Sequence, residues 1–202
     1  GSEIEQTILL YERTRRLDFV TSADWNTEHV VLKAAFPLDI NAEKASFDIQ
    51  FGTIERNTHD NTSWDAAKFE GCAHKYADLS ENGFGVALMN DCKYGYDVRH
   101  GTMRLTLLRC PTFPDPNCDK TRHTFTYSIY THGDAGAPDT VQAAFALNNP
   151  MRAFAFAGNA KGDLPEAYSL VSCDNGGVIV ETVKQAEQSD AIVVRMYEAL
   201  NR

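Results

Sequence analysis

The sequence lacks a long apolar segment and a surplus of positive charge. No apolar run approaches the roughly 20 residues that a membrane-spanning helix needs. The first residues also lack the charged and then hydrophobic pattern of a secretion signal. Lys and Arg number 19 against 28 Asp and Glu, and the formal net charge of −9 leaves no basic surplus for phosphate groups. We therefore expect neither nucleic acid nor a membrane as a partner.

Cysteine is sparse and shows no pairing pattern. The five cysteines are scattered and form no CxxC pair, so the sequence indicates neither a disulfide framework nor a thiolate zinc site. Free thiols in a reducing compartment, and hence a cytoplasmic protein, are the simpler interpretation. Gly1 and Ser2 have the composition of a cloning remnant.

Short catalytic motifs are also missing. The sequence contains no GxSxG, no HExxH and no GxxxxGK[ST]. "CAH" at 72–74 and "THD" at 58–60 each offer two possible ligands, whereas a zinc site needs three or four. We therefore predict no metal site made by this chain alone. Two carboxylates could serve as acid and nucleophile of a glycosidase, but 28 acidic residues leave the choice of pair open.

Strand periodicity dominates the rest of the sequence. Four segments alternate apolar and polar residues, which is typical of strands with one buried face. Their apolar positions are Ala45, Phe47, Ile49 and Phe51; Met103, Leu105 and Leu107; Phe125, Tyr127 and Ile129; and Ile192, Val194 and Met196. Three further segments, "VVLKAAFP", "GFGVALMN" and "GGVIVETV", are apolar enough for more deeply buried strands. Seven or more short strands predict a mainly β protein, an antiparallel β-sandwich.

Helix signals are few. Asp139 or Thr140 is placed to cap a short helix through "VQAAFALNN", which Pro150 would stop. Thr62, Ser63 or Asp65 could cap a single turn. The Pro- and Asp-rich residues 111–123 predict a long loop between two strands. We expect one sandwich domain over residues 1–202, with residues 178–202 as the possible start of a further sheet.

The stretch "NDCKYGYD" follows a buried type of strand. Asp91 and Lys93 thus lie where a strand gives way to a loop, which is where rigid scaffolds carry functional side chains. Tyr94 and Tyr96 have rings that could stack on a sugar. The alternative is a hairpin turn in which the polar side chains bond their own backbone and Asp91 pairs with Lys93 at the surface.

The stretch "THDNTSWD" concentrates His59, Asp60, Asn61, Trp64 and Asp65. A functional role for His59 or Asp65 is one interpretation, because binding residues favour loops. The other is structural: Asp60 and Asn61 form an Asx turn and Trp64 anchors the core.

Several segments together resemble a known family. They are "RRLDFVTSADWNTEHVVLKAAFPLDI", "FGTIERNTHDNTSWDAAKFEGCAHKYADLSENGFGVALMNDCKYGYDV" and "LTLLRCPTFPDPNCD". These look like the C-terminal β-sandwich region of glycoside hydrolase family 38 α-mannosidases, and most like the cytosolic and vacuolar-type branch, which includes bacterial members. The resemblance runs in order from about Leu9 to Tyr197 and implies a supersandwich fold like that of galactose mutarotase.

The resemblance also implies what each part does. In the family, "NTSWDAAKFE" is a signature of the sandwich, and we expect Trp64 and Phe69 to anchor it. The catalytic Asp and a zinc held by His and Asp are implied upstream, in an α/β barrel, so this chain is expected to carry no catalytic residue, to bind no cofactor itself and to be inactive alone. Asp91, Lys93 and Tyr94 are the expected supports of the active site.

The expected partners are the upstream barrel and a mannose-containing oligosaccharide, with a homo-oligomer possible. A vacuolar location is the alternative for a eukaryotic source. Two rival functions remain open: a sugar-binding module and a purely structural or assembly domain. A sugar module would need its aromatic residues on one platform, and the candidates are scattered in sequence: Trp25, Trp64, Tyr94 and Tyr96.

Overall fold

The computed structural model describes residues 1–133, 138–155, 158, 162–163 and 165–200. Thirteen strands and two helices lie within these residues. The strands are β1 (Glu3–Leu10), β2 (Arg16–Asp24), β3 (Leu32–Pro37), β4 (Lys44–Ile49), β5 (Gly52–Asn57), β6 (Gly71–Cys72), β7 (Tyr76–Glu81), β8 (Phe84–Asn90), β9 (Gly95–Arg99), β10 (Thr102–Leu108), β11 (Arg122–His132), β12 (Val178–Gln185) and β13 (Ile192–Glu198). The helices are α1 (Ser63–Ala67) and α2 (Pro138–Asn148).

Two antiparallel sheets supply the main core. The larger sheet has the strand order β1-β2-β11-β8-β7-β4-β5, and the smaller has the order β3-β10-β9-β6. Phe47 and Leu88 from the larger sheet belong to one apolar cluster with Met103 and Leu105 from the smaller. Two sheets that share one core through their inner faces form a β-sandwich. The predicted fold class is confirmed.

The predicted alternation holds in the strands that border this core. Met103, Leu105 and Leu107 on β10 are buried, and Phe125 and Tyr127 on β11 are buried with them. The loop predicted before β11 is also present, since no strand or helix lies between Leu108 and Arg122. The alternating positions therefore identified the inner face of the sandwich.

Phe51 departs from the predicted pattern. β4 ends at Ile49, and Phe51 lies in the tight turn to β5, where its φ of 57° takes it out of the extended conformation. The strand alternation stops with the strand, and Phe51 is 57% exposed. Its predicted place on the buried face of β4 is wrong.

A second, smaller core lies on the outer face of the larger sheet. Helix α2 covers this face, with Val141 and Ala144 buried against the sheet. The cluster comprises Tyr76, Ala87, Met89, Tyr130, Val141, Ala144, Ile179 and Ala199. The helix begins at Pro138, a favoured first helical residue, and ends two residues before Pro150. The predicted helix is confirmed, but the predicted cap is wrong, because Asp139 and Thr140 lie inside its first turn.

The hairpin β12–β13 forms a separate two-stranded sheet. The buried face predicted for β13 is wrong, because Ile192, Val194 and Met196 are all exposed. Periodicity identifies residues that share a face, but burial also needs a facing layer, and none of the described residues covers this one. Whether residues 178–202 begin a further sheet stays a prediction.

The anchoring role expected for Trp64 and Phe69 is also wrong. Trp64 is 78% exposed and Phe69 is 70% exposed. Helix α1 has only five residues and none of them is buried. Polar contacts, rather than aromatic packing, hold this segment to the sandwich. Thr62, one of the three predicted capping residues, is the N-cap of α1 and accepts a hydrogen bond from the Asp65 backbone.

The five cysteines are free thiols, and Cys110 is the buried one. In the part of the chain that the structure describes, neither helix has the length or apolar character to cross a membrane.

Candidate functional site

The turn between β8 and β9 is organised by Asn90, the last residue of β8. Its side chain is fully buried. The Asn90 amide nitrogen donates to the carbonyl of His74 at 2.8 Å and to the hydroxyl of Tyr96 at 2.6 Å. Its amide oxygen accepts from the backbone N–H of Lys93 at 2.7 Å. One buried amide thus fixes the path of the loop that carries the predicted site residues, because its donors and its acceptor are all engaged.

Asp91 is tied to the neighbouring strand β11. Its Oδ2 accepts a hydrogen bond from the backbone N–H of Thr126 at 2.9 Å, and its own N–H donates to the Thr126 carbonyl at 3.1 Å. Asp91 also borders a depression of about 330 Å³ on the outer face of the larger sheet. The other lining residues are Glu5, Thr7, Val20, Thr21, Ser22, Thr124, Phe125 and Thr126. The carboxylate therefore has a structural partner at the rim of a shallow, mixed surface.

Lys93 and Tyr94 lie beside Asp91 at the same end of the sandwich. The ammonium of Lys93 sits 4.7 Å from the ring centroid of Phe125, in a cation–π contact. The Tyr94 ring meets His74 edge-on, with 6.2 Å between the ring centroids, and stays 53% exposed. The structure thus brings Asp91, Lys93 and Tyr94 together. Tyr96, the second predicted stacking ring, is fully buried, and this expectation is wrong.

Cys92 does not add a nucleophile to this group. Burial first, and then the neighbouring Asp91 carboxylate, raises the pKa of Cys92 to about 11. The thiol is consequently neutral at pH 7, and only the thiolate is strongly nucleophilic. This end of the sandwich offers a cation, a carboxylate and an exposed aromatic ring, which can contact a polar ligand or another domain.

His59 and Asp65 lie in a second region, a cleft of about 490 Å³ between β5 and the segment around α1. The Asp65 carboxylate accepts from the Thr62 hydroxyl at 2.6 Å and from the Asn57 amide at 3.0 Å, and lies 3.8 Å from the His59 ring. The hydrogen bond from Thr62 first, and then that from Asn57, lowers the pKa of Asp65. The carboxylate remains ionised, and it uses its hydrogen-bonding capacity locally, on the N-cap residue Thr62 and on Asn57 of β5.

Strand β9 separates the predicted residues of the β8–β9 turn from His59 and Asp65. Tyr94 directly precedes β9, whereas the guanidinium of Arg99, its last residue, donates to the Asp65 carbonyl at 2.6 Å. Five extended residues span about 13 Å, so Asp65 and Asp91 belong to different ends of the sandwich. The predicted residues therefore do not form one site.

A buried polar cluster escaped the sequence analysis. His132 on β11 and Asp78 on β7 lie 2.5 Å apart between ring nitrogen and carboxylate, and the Ser80 hydroxyl donates to the other Asp78 oxygen. His132 and Asp78 are 3% and 5% exposed, and Tyr130 stacks on the His132 ring. Burial keeps these groups from a substrate, so the cluster joins the strands. Only the pairing of strands far apart in sequence could have indicated it.

No three His, Cys, Asp or Glu side chains among the described residues converge on a point where they could hold a metal ion. The arrangement also differs from a nucleophile with an adjacent base, since the Asp65 and Asp91 carboxylates are engaged in local hydrogen bonds.

Comparison with known proteins identifies the source of the fold. Residues 1–117 match the family described as "Glycosyl hydrolases family 38 C-terminal domain", and residues 177–202 match "Glycosyl hydrolases family 38 C-terminal beta sandwich domain". The crystal structure of an alpha-mannosidase from Enterococcus faecalis V583 superposes with a TM-score of 0.88 at 22% identity, covering 97% of this chain and 23% of that one. This likeness establishes the fold.

Sequence similarity to curated proteins is stronger. The chain is 43% identical to Alpha-mannosidase G of Dictyostelium discoideum and 42% identical to Alpha-mannosidase 2C1 of Homo sapiens, over 98% of its length in each case. It spans 18% and 19% of those two relatives, so it corresponds to less than a fifth of their length. The chain belongs to glycosyl hydrolase family 38, and it corresponds to the C-terminal region of the family's α-mannosidases.

Proposed function

We propose that this chain is the C-terminal β-sandwich domain of a zinc-dependent, retaining α-mannosidase that hydrolyses terminal α-mannosides of oligosaccharides. The observation that carries the proposal is the continuous similarity over 98% of the chain to curated proteins named as α-mannosidases in an amoeba, a mammal and a yeast. Similarity of that length concerns a whole domain, which is a stronger basis than a short motif.

In this proposal the chemistry takes place outside these 202 residues, and the isolated domain hydrolyses nothing. Hydrolysis that retains the anomeric configuration requires a carboxylate nucleophile and a carboxylic acid about 5 Å apart, one on either side of the glycosidic bond. The described residues offer no matching pair at either candidate site, because the Asp65 carboxylate binds Thr62 and Asn57, and the Asp91 carboxylate binds β11. They also offer no fitting set of zinc ligands. The nucleophile and the zinc of the parent enzyme are therefore assigned to its remaining part.

The role proposed for this domain is to buttress the catalytic barrel and to help shape the mouth of the active site. The loop after β8 supports this role because it is rigid and yet displays a free ring. Asn90 and Asp91 bind it to the body of the sandwich, while Tyr94 remains 53% exposed. Tyr94 and Lys93 are the proposed contacts to the barrel or to the sugar. The free cysteines support a cytoplasmic location.

The test is hydrolysis of an aryl α-mannoside by the full-length enzyme and by residues 1–202, each with and without a chelator. We expect chelator-sensitive activity in the full-length enzyme and none in the domain. Hydrolysis by the domain alone would overturn the assignment of the chemistry to the remaining part. A full-length enzyme without α-mannosidase activity would overturn the proposal as a whole.

The role of Tyr94 has its own test in the full-length enzyme. Tyr94→Ala should lower kcat/KM severalfold at an unchanged melting temperature, because the ring packs little within the domain. Phe113→Ala is the matched control, since Phe113 is 86% exposed in a different loop. Equal kcat/KM values for both variants would exclude a role for Tyr94 at the mouth of the active site.

A carbohydrate-binding role without catalysis is the second candidate. The half-exposed Tyr94 ring beside Lys93 favours it, because aromatic rings with a nearby polar group are suited to sugar faces. Titration of the isolated domain with an α-mannosyl disaccharide, followed by NMR shifts of Tyr94 and Lys93, tests this role. Absence of shifts at millimolar sugar would exclude it.

A further inference from the structure

Two large aromatic side chains project from the segment around α1. Trp64 is 78% exposed and Phe69 is 70% exposed, although both belong to a short stretch that contacts the sandwich on its other side. The helix itself buries none of its residues. Exposed aromatic rings of this size are a feature of protein surfaces that bind a partner.

The segment holds these rings in a fixed position. The Thr62 hydroxyl caps the helix by accepting from the Asp65 backbone at 3.1 Å, and the Asp65 side chain accepts from Asn57 on β5 at 3.0 Å. Arg99 on β9 donates to the Asp65 carbonyl at 2.6 Å. Contacts to both sheets therefore orient α1 before any partner arrives, and a rigid surface loses less conformational entropy on binding.

The geometry favours a protein partner over a sugar. The cleft beside α1 is lined by residues of β5 and by others that include Asp65, Lys68 and Glu70. Trp64 and Phe69 are outside this lining. Sites for small ligands surround the ligand in a concavity, whereas aromatic anchors of protein interfaces project into pockets of the partner. The two rings have the second arrangement.

We propose that Trp64 and Phe69 dock onto the part of the family 38 chain that lies outside these 202 residues. The relatives provide the partner: this chain accounts for 18–19% of their length, so most of each relative's chain is available to cover the surface. The inference rests on the proposed function, because it takes this chain to be a domain of such an enzyme.

Hydroxyl-radical footprinting of the full-length α-mannosidase tests the docking. The oxidation rate of Trp64 is compared between the folded enzyme and the same chain unfolded in urea. Trp25, which is 5% exposed, supplies the rate of a buried indole in the same molecule. We expect Trp64 to be protected nearly as well as Trp25. Oxidation of Trp64 close to its unfolded rate, as its 78% exposure in this domain would give, would overturn the proposal.

Two further footprinting conditions test whether something else covers Trp64 and Phe69. Protection that disappears when the enzyme is diluted to a monomer would mean that a second copy covers the rings. Protection that requires an added α-mannosyl oligosaccharide would mean that they form a sugar platform. Either result would overturn docking within the chain. None of these measurements depends on turnover, so an inactive enzyme with a protected Trp64 would lose the proposed function while keeping the docking surface.

A variant completes the test. Trp64→Ala in the full-length enzyme should raise the oxidation of Phe69 severalfold, because the two rings share one interface. Phe113→Ala, which removes another exposed ring, should leave Phe69 protected. Unchanged protection of Phe69 in Trp64→Ala would contradict a shared interface.

Discussion

The carboxylate of Asp91 and the backbone of Thr126 form a pair of hydrogen bonds between the β8–β9 turn and β11. Asp91 Oδ2 accepts from the Thr126 N–H at 2.9 Å, while the Asp91 N–H donates to the Thr126 carbonyl at 3.1 Å. These two hydrogen bonds thus continue the contact between β8 and β11 by one residue beyond the end of β8. Asp91 first secures the loop, and any contribution to an active site comes through the loop's position.

Asp91→Ala should lower the free energy of unfolding by about 1–2 kcal/mol, because it leaves the Thr126 N–H without its acceptor. Asp91→Asn retains a side-chain oxygen and should recover most of that loss. Urea denaturation of the domain measures both changes. Equal stability of Asp91→Ala and the unsubstituted domain would show that water satisfies the Thr126 N–H.

Cys92 should react slowly with iodoacetamide at neutral pH, although the residue is only partly covered by the protein. Partial burial of the thiol, and then the Asp91 carboxylate, raise its pKa to about 11, so the thiolate fraction grows only as the pH approaches that value. Asp91→Asn should move the midpoint of the alkylation profile to lower pH by removing the adjacent negative charge. Mass spectrometry of the Cys92 peptide across a pH series measures the midpoint. An identical profile in Asp97→Asn is the control.

Gly85→Ala should destabilise the domain by about 3 kcal/mol. A Cβ at this position would lie 2.3 Å from both His132 Cε1 and the Ser80 hydroxyl, so the buried cluster around Asp78 would have to rearrange. Gly133→Ala is the matched control, because its Cβ would meet no atom of the described residues within 4 Å. Thermal unfolding of both variants measures the difference. A stable Gly85→Ala would mean that β8 and β11 shift apart at little cost.

Thr62→Ala should raise the pKa of Asp65 toward its ordinary value of 3.8, since the hydrogen bond from Thr62 is the main cause of the lowered pKa. A lowered folded pKa means that the Asp65 carboxylate contributes stability above pH 3.8, and that this contribution is lost as the pH falls through the folded pKa. The stability of the segment around α1 should therefore depend less on pH in the acidic range in Thr62→Ala. NMR titration of the Asp65 carboxyl measures the pKa. Thr62→Ser, which keeps the hydroxyl, should preserve the low value.

Local patterns in the sequence predicted helix α2 and seven of the thirteen strands in the described residues, but they missed β1, β2, β5, β6, β7 and β9. Alternation placed Met103 and Leu105 on the inner face, and Pro150 marked the end of α2. These features depend on neighbours within a few residues, which is the range over which backbone geometry repeats. The family resemblance added the family to which the domain belongs, which the comparisons confirm.

The exposed faces could not be predicted in the same way. Trp64 is as apolar as a core residue but lies on a five-residue helix that the two sheets do not cover, and the apolar side chains of β13 have no facing layer among the described residues. Burial depends on what packs opposite, and that is a property of the assembled chain.

The sequence by itself determined that this is an antiparallel β protein without excess basic charge, because periodicity and composition are local or additive properties. Only the tertiary structure decided which polar residues meet. It placed Asp78 against His132, 54 positions away in sequence, and it held Asp65 and Asp91 at opposite ends of β9. Such distances follow from the pairing of strands that are remote in the chain, and no short stretch of sequence contains both partners.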